Sequence, residues 1–261
     1  MDLKTAKSLN TINYEFYQTI GKFFDASRNY FWPGWEMIMP YIQRNINARD
    51  TANSLKVLDL GCGNARFAEF LVSTGFADSF EYCGLEYSKY LIEKAKVRLG
   101  KLKVAKSQLV ETDILFESWG NKLASGNFDL AVMFGVMHHI PSYGLRVSLL
   151  RQIWELLSRD ALFVVTFWKF ADIERLRKRI VSKDSSKFAK LMEKYTINPQ
   201  QLEVSDYILV WERGGVAYRY CHYFTIDEAR NLLEDAGFKV IDSFLGDAKE
   251  NSANEYYVCS K

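Results

Sequence analysis

The chain has 261 residues, of which 48% are apolar and 25% charged, and a formal net charge of +2. These values are ordinary for a globular protein and predict one α/β domain over residues 1–261. So small a charge neither requires nor excludes nucleic acid, so any basic surface must be local. No apolar run reaches the roughly 18 residues of a membrane span, and the four cysteines lack paired metal spacing. We therefore expect no membrane partner, no metal site and a cytoplasmic protein with reduced thiols.

The N-terminal stretch, residues 10–47, reads as helical segments rich in aromatic side chains and broken at Trp32-Pro33-Gly34-Trp35. This pattern predicts an amphipathic helical cap over residues 1–50 that covers an edge of the sheet. Arg28 stands among aromatic residues in the same stretch. Its guanidinium could close over a cofactor and offer two parallel hydrogen bonds to a carboxylate.

Residues 55–72 predict a nucleotide-binding turn. An apolar strand containing Asp59 ends in the loop Gly61-Cys62-Gly63-Asn64, and residues 65–72 follow as an amphipathic helix. Glycine has no β-carbon, so the chain can turn sharply there and a ligand can lie against backbone amides at the positive end of the helix. The loop lacks both the third glycine of the dinucleotide fingerprint and the lysine of a phosphate-binding loop.

Two further strands are expected at residues 81–86 and 104–110, separated by a helix over residues 88–99 with Ser88 as its cap. The first of these strands ends in Glu86, which follows Gly63 by 23 residues. A parallel α/β fold places a ribose-binding carboxylate at about that distance. We therefore assign Glu86 to the ribose, with a solvated strand-end acid as the alternative.

The fourth strand, residues 127–134, is nearly continuous in apolar residues and leads into Gly135 and the pair His138-His139. The ligand crevice of an open parallel sheet lies beyond the carboxyl ends of its strands, so this pair should face the active site. The alternative is a structural role, with one histidine capping backbone and the other packing. A helix over residues 142–158 and a fifth strand over residues 161–167 complete the predicted core of residues 55–167.

Residues 169–194 form a predicted charged helical insertion with nine basic and four acidic side chains. Such a surface can neutralise several phosphates of a nucleic acid, although many charged faces are merely solvated. The insertion continues to residue 224 through a hairpin whose strands, residues 207–211 and 216–223, are joined by Glu212-Arg213-Gly214-Gly215. Alternation puts Arg219 and Cys221 on one face of the second strand and Tyr220 and His222 on the other. A helix over residues 226–236, capped by Thr225, and strands over residues 238–245 and 255–260 close the predicted sheet within the C-terminal segment 225–261.

The sequence Asp-Leu-Gly-Cys-Gly-Asn after Val-Leu resembles the first motif of the class I S-adenosylmethionine-dependent methyltransferases. The order of strands, helices and acids over residues 55–167 is similar to their fold. The resemblance implies a Rossmann-like α/β fold with a seven-stranded sheet, helices on both faces and an insertion after strand five. It also implies S-adenosyl-L-methionine as cofactor and S-adenosyl-L-homocysteine as product, with Asp113 contacting the adenine and Ile114 packing on its ring. The cofactor set is Asp59, Gly61, Cys62, Gly63, Asn64, Glu86, Tyr87, Asp113, Ile114, Phe134 and Gly135.

The flanks resemble one family within that class, the tRNA methyltransferases that esterify carboxymethyl-uridine at the wobble position. The resembling pieces are Phe16-Tyr17, Ser27-Arg28, Trp32-Pro33, His138-His139, Val210-Trp211 and Tyr218-Arg219-Tyr220-x-His222. The chain departs from the family pattern at Asn64-Ala65-Arg66, where a small residue and a lysine are commoner, and at Cys221, where the family has tyrosine.

The resemblance implies an in-line methyl transfer to a carboxylate, which is already ionised at neutral pH and requires no general base. Arg28 and Arg219 are the candidates to hold that carboxylate, with His138, His139 and His222 as orienting donors. The predicted substrate-binding residues are Tyr17, Trp32 and Tyr220, of which Tyr17 and Tyr220 could stack on the base.

The expected partners are tRNA and a small zinc-containing activator protein, which eukaryotic members of the family use; DNA is not expected. Two alternatives stay open. In the first, a histidine base activates a phenol or an amine of a small molecule. In the second, the chain is a non-catalytic subunit with a methyltransferase fold, although the intact acids and glycines argue against it.

Overall fold

A seven-stranded sheet forms the centre of the molecule, as the sequence predicts. The structure is a computed structural model that describes residues 1–26, 30–47, 54–76, 80–123, 126–248 and 252–261. The sheet strands are β1 (Leu55–Leu60), β2 (Phe80–Glu86), β3 (Lys106–Glu111), β4 (Phe128–Met133), β5 (Leu157–Trp168), β8 (Lys239–Gly246) and β9 (Asn254–Ser260). Their order is β3-β2-β1-β4-β5-β9-β8. The first five pair in parallel, and β9 runs antiparallel to both of its neighbours.

A separate hairpin, β6 (Asp206–Trp211) and β7 (Ala217–His222), lies outside this sheet. Its turn includes Gly214 and Gly215, which both have positive φ, and it matches the predicted hairpin. The helices are α1 (Leu3–Ala26), α2 (Pro33–Asn47), α3 (Arg66–Leu71), α4 (Lys89–Leu99), α5 (Tyr143–Leu156), α6 (Glu174–Arg177), α7 (Ser186–Lys194) and α8 (Ile226–Asp235). Within the described ranges, no helix combines the length and the apolar character needed to cross a bilayer.

Helices cover both faces of the sheet, as predicted. On one face, α5 and α8 bury leucines such as Leu150 and Leu232 against alternate residues of the central strands, including Phe163. On the other face, α2 and α3 bury Ile38 and Phe67 against the remaining alternate residues. Because both faces are covered, all six residues of β4 are buried, which explains its continuous apolar sequence.

In the N-terminal cap, α2 packs on a face of the sheet and reaches its edge strand β8, where the hydroxyl of Tyr41 donates to Asp242. Helix α1 packs instead on the insertion: Leu9 and Ile12 lie in one buried cluster with residues of α7 and the hairpin. These contacts bring α1, the insertion and the hairpin together as a second layer. The subdivision of the single domain into cap, core, insertion and C-terminal segment stays a prediction.

Two predicted helices have different bounds in the structure. Helix α5 ends at Leu156 because Leu157 pairs with Phe128 and begins β5. The insertion is not one charged helix. After the short α6, Ile180 bridges to Leu209 of β6, and α7 starts anew at Ser185, whose hydroxyl accepts from the amide of Phe188. The edge strand of the hairpin supplies hydrogen-bond partners for the backbone near Ile180, so the chain is extended there and the helix does not continue.

Candidate active site

A cavity of about 370 Å³ lies at the carboxyl ends of the parallel strands. Its volume is within the range of small-molecule sites. The strand order reverses between β1 and β4, and a parallel α/β sheet opens its ligand crevice at such a point. Every residue of the predicted cofactor set lines this cavity, as do Tyr17, Trp32, His138, His139 and Arg219.

The glycine loop holds its backbone open toward the cavity. Gly61 has φ +69°, and a β-carbon there would lie 2.4 Å from Cγ2 of Val136. The amides of Gly61 and Cys62 donate to the carbonyl of Leu85 at 2.8 and 3.0 Å, which fixes the turn against the end of β2. Gly63 has φ +56° but nothing within 4 Å of a β-carbon position. A ligand can therefore approach the chain closely at Gly63.

Buried carboxylates make the part of the cavity that is lined by the predicted cofactor residues acidic. Glu86 accepts from the amides of Gly63, Tyr87 and Ser88 at 2.8 to 3.0 Å. Burial raises the pKa of Glu86, and these three hydrogen bonds offset only part of that effect. Burial also raises the pKa of Asp59 to about 7, although the hydroxyl of Tyr82 donates to it at 2.6 Å. A cationic ligand would stabilise the ionised form of both acids, so this part fits a sulfonium cofactor with an ammonium group.

Helix α1 is tied to this acidic part by side-chain hydrogen bonds. The amide of Asn10 donates to Asp113 at 2.7 Å, and Asn64 donates to Asp25 at 2.5 Å. The second oxygen of Asp113 accepts from the amide of Leu115 at 2.9 Å. Asp25 lines the cavity and was not among the predicted site residues, because no strand-end spacing points to it.

The side chain of His139 is fixed as a neutral imidazole. Its Nδ1 lies 2.9 Å from the carbonyl of Tyr220 and its Nε2 lies 3.1 Å from the hydroxyl of Tyr17. A carbonyl only accepts, so Nδ1 carries the proton and Nε2 accepts from Tyr17. Burial, reinforced by the nearby charge of Arg219, lowers the pKa of His139 to about 3. His139 is therefore a poor general base at neutral pH.

The ring of His138 packs beside that of His139. Its ring centroid is 4.1 Å from that of His139 and 5.0 Å from that of Trp168. Both histidines are buried and both line the cavity, so the turn after β4 faces the site as the sequence predicts.

Arg219 brings a buried positive charge to the lining of the cavity. Its side chain is 6% exposed, and its guanidinium carbon lies 4.3 Å from the ring centroid of Trp168 and 5.2 Å from that of Phe16. Within the described ranges it has no hydrogen-bond or ion-pair partner for its guanidinium nitrogens. A buried cation is costly unless an anion pairs with it. The arrangement is that of an anion site between aromatic walls.

Two predicted site residues lie elsewhere. The side chains of Tyr220 and His222 point to the opposite side of β7, where both are buried and both bond to Asp206, at 2.6 and 2.7 Å. Neither lines the cavity, so we withdraw Tyr220 as a stacking surface and His222 as an orienting donor. Arg28 lies outside the described residues.

Three cavity arginines escaped the sequence analysis: Arg175, Arg179 and Arg213. The first two were counted only as part of a charged patch. Arg175 and Arg179 are four residues apart in the segment that follows the carboxyl end of β5 at Trp168, and that position could have identified them. Arg213 could not have been found in this way, because its place depends on how the hairpin docks.

Comparisons with known proteins define the class. A family model described as a methyltransferase domain matches residues 35–243. A protein of Encephalitozoon cuniculi whose name assigns it provisionally to the methyltransferases is 24% identical over 88% of both chains.

Solved methyltransferases share the fold at low identity. The Burkholderia thailandensis 1,6-didemethyltoxoflavin-N1-methyltransferase, solved with 1,6-didemethyltoxoflavin and S-adenosylhomocysteine, has a TM-score of 0.62 and 13% identity over 100% of this chain and 92% of its own. The magnesium protoporphyrin IX methyltransferase of Synechocystis, solved with S-adenosylhomocysteine, has a TM-score of 0.58 and 14% identity over 97% and 99%.

The chain therefore belongs to the methyltransferase-domain family. Family, fold and cavity together make it an S-adenosylmethionine-dependent methyltransferase, with S-adenosylmethionine as its cofactor.

Proposed function

We propose that this methyltransferase esterifies a carboxylate, and that its substrate is the carboxymethyl group of a modified wobble uridine in tRNA. The observation that carries the proposal is Arg219, a guanidinium that lines the cavity, is 6% exposed and has no partner for its nitrogens in the described part of the chain. A carboxylate accepts two parallel hydrogen bonds from such a planar fork, which fixes its orientation as well as its place.

The charges of the cavity suit methyl transfer from a cationic donor to an anionic acceptor. Asp59 and Glu86 line the cavity beside the glycine loop, and Arg219 lines it beside Trp168. When bound, the cofactor supplies an electrophilic methyl group on a cationic sulfur. The acids would hold the donor and Arg219 would hold the anionic acceptor, so their main contribution is position.

The protonation state of His139 favours an acceptor that needs no base. Its pKa of about 3 and its hydrogen bond from Tyr17 leave it neutral and engaged at neutral pH. A carboxylic acid with an ordinary pKa near 4 is already ionised there. A phenol or an amine would have to lose a proton in the reaction, and His139 is poorly suited to take it.

tRNA and the small zinc-containing activator protein are proposed as partners because of the family resemblance. The basic side chains at the cavity are consistent with an RNA substrate. The cytoplasm is the proposed place of action, because all four cysteines are free thiols.

The test is methyl transfer from labelled S-adenosylmethionine to bulk tRNA from cells that lack this protein, followed by nucleoside analysis and mild alkali. We expect label in a wobble uridine and its release by alkali, which identifies an ester. Transfer is measured with and without the candidate activator. Absence of label under both conditions, with cofactor binding intact by calorimetry, would contradict the proposal and favour a small-molecule substrate. Absence of cofactor binding would favour the non-catalytic alternative.

A further inference from the structure

Three arginines, Arg175, Arg179 and Arg213, extend the positive wall from Arg219 to the mouth of the cavity. Arg175 and Arg213 are exposed and Arg179 is half-buried. They come from different elements: Arg175 from α6, Arg179 from the segment after it, and Arg213 from the hairpin turn. Two hydrogen bonds from β6 hold the backbone of Arg179 and Arg213. The amide of Val210 donates to the carbonyl of Arg179 at 2.9 Å, and the side-chain Nε1 of Trp211 donates to the carbonyl of Arg213 at 2.6 Å.

Among the described residues, neither Arg179 nor Arg213 forms an ion pair with a carboxylate. Burial lowers the pKa of Arg179, and repulsion from Arg213, Arg219 and Arg175 lowers it further, with Glu212 opposing them. Like charges held together cost stability unless an anion binds between them.

Three other basic residues of the insertion have partners within the protein. Lys178 pairs with Glu174 at 2.7 Å, Lys194 pairs with Glu15 at 3.1 Å, and Lys169 donates to the carbonyl of Phe224 at 3.0 Å. The basic patch that the sequence predicts is thus divided. Two of its residues, Arg175 and Arg179, line the cavity and form the arginine mouth together with Arg213 of the hairpin turn.

We propose that the arginine mouth binds backbone phosphates of the RNA next to the modified nucleotide, while Arg219 binds the carboxylate. This inference rests on the proposed function, and it makes the site bipartite. The carboxylate is a single anion held in the buried part of the cavity, whereas phosphates that flank the nucleotide remain at the surface, where exposed arginines meet them. Contacts of this kind position RNA without reading its sequence.

The first experiment measures tRNA binding against salt for the wild type and for a triple variant, Arg175→Gln with Arg179→Gln and Arg213→Gln. For single-stranded RNA each phosphate contact contributes about 0.7 to the slope of log K against log salt, so losing three should reduce the slope by about 2. The matched control removes three charges from the same insertion outside the cavity: Arg177→Gln with Lys187→Gln and Lys190→Gln. The control should keep the wild-type slope. An equal reduction in both, or none in the mouth variant, would overturn the inference.

The second experiment separates phosphate from carboxylate. The free carboxymethyluridine nucleoside has no phosphate, so its KM should rise much less in the mouth variant than the KM for tRNA, which should rise at least about tenfold. If the mouth arginines strengthen binding of the nucleoside 5′-monophosphate but leave the tRNA slope unchanged, the phosphate belongs to a small molecule and the RNA assignment is overturned. Failure of the proposed function is a distinct result: the wild type binds tRNA but forms no alkali-labile ester. The salt slopes still test the mouth in that case.

Discussion

The two faces of β7 bury polar groups in opposite ways. Toward the cavity, Arg219 presents a guanidinium that lacks a hydrogen-bond or ion-pair partner within the described residues. On the reverse face, the hydroxyl of Tyr220 and the imidazole of His222 share a carboxylate oxygen of Asp206, and Nε2 of His222 lies 2.8 Å from Glu228. Arg146 of α5, fully buried, completes the cluster with a 2.8 Å ion pair to Glu203.

This difference indicates that one face of β7 serves ligand recognition and the other serves the stability of the fold. A buried charge whose partners come from the protein holds elements together, here α5, α8 and the hairpin. A buried charge that has no hydrogen-bond or ion-pair partner among the described residues can gain one when an anionic ligand binds. The reverse face should therefore govern unfolding, and the cavity face should govern methyl transfer.

The largest expected effect is on the reverse face. Replacing Arg146 with Met leaves Glu203, Asp206 and Glu228 without their shared cation, so the free energy of unfolding should fall by about 3–5 kcal/mol and the melting temperature by roughly 10 °C. Urea and thermal unfolding measure this change. Arg159→Met, at an exposed position, is the control and should change stability by less than about 0.5 kcal/mol. A loss under about 1 kcal/mol for Arg146→Met would show that the cluster is not structural.

On the cavity face, Arg219→Gln should lower kcat/KM for a carboxylate substrate by about 10²–10³-fold, since losing one partner of a buried charged pair costs roughly 2–5 kcal/mol. Arg219→Lys keeps the charge but loses the planar fork of the guanidinium, so its kcat/KM should lie between those of the wild type and Arg219→Gln. Neither variant should lower the melting temperature appreciably, because among the described residues the guanidinium has no hydrogen-bond or ion-pair partner to lose and only its contacts with the rings of Trp168 and Phe16 change. A large fall in the melting temperature of Arg219→Gln with a normal kcat/KM would show that this face of β7 serves stability and not substrate binding.

His222 gives the reverse face a pH dependence of known sign. Burial alone lowers the pKa of His222, but hydrogen bonds to Asp206 and Glu228 outweigh burial and the opposing charge of Arg146, so the folded-state pKa is raised. Its contribution is fully present below the unfolded pKa, about 6.5, and is lost as pH rises through the folded value. The stability gap between wild type and His222→Gln should therefore narrow from pH 6 to pH 9. A gap that widens would contradict the assignment.

The smallest expected effect concerns pH and rate. Because the acceptor carboxylate is ionised and His139 is already neutral, kcat/KM should stay nearly flat between pH 6 and pH 9. Initial rates at constant ionic strength, with saturating cofactor, test this expectation. A tenfold rise per pH unit below a single pKa would instead indicate a group that must lose its proton, and so a phenol or amine substrate.

The cofactor-binding part of the site could be predicted from the sequence because its residues follow directly from strand ends. Gly61 and Gly63 lie in the turn after β1, Glu86 is the last residue of β2, and local spacing fixes all three. The period of two in β7 also correctly separated Arg219 from Tyr220 and His222.

Sequence could not say which face of β7 meets the cavity, and roles were therefore assigned to residues of both faces. That choice depends on distant contacts: Asn13 of α1 accepts from the amide of Tyr220 at 2.8 Å, and His139 donates to its carbonyl at 2.9 Å. The arginine mouth depends in the same way on the docking of the hairpin against residue 180. Long-range pairing of this kind leaves no local periodic signal.

The most direct test of the central claim compares two ligands on two proteins. Carboxymethyluridine and its neutral carboxamide are titrated calorimetrically into wild type and Arg219→Gln, each with S-adenosylhomocysteine bound. If Arg219 recognises the carboxylate, the wild type will prefer the acid by at least about tenfold, or 1.4 kcal/mol, and Arg219→Gln will bind both ligands equally. An equal preference in the two proteins, or no preference in the wild type, would contradict the account.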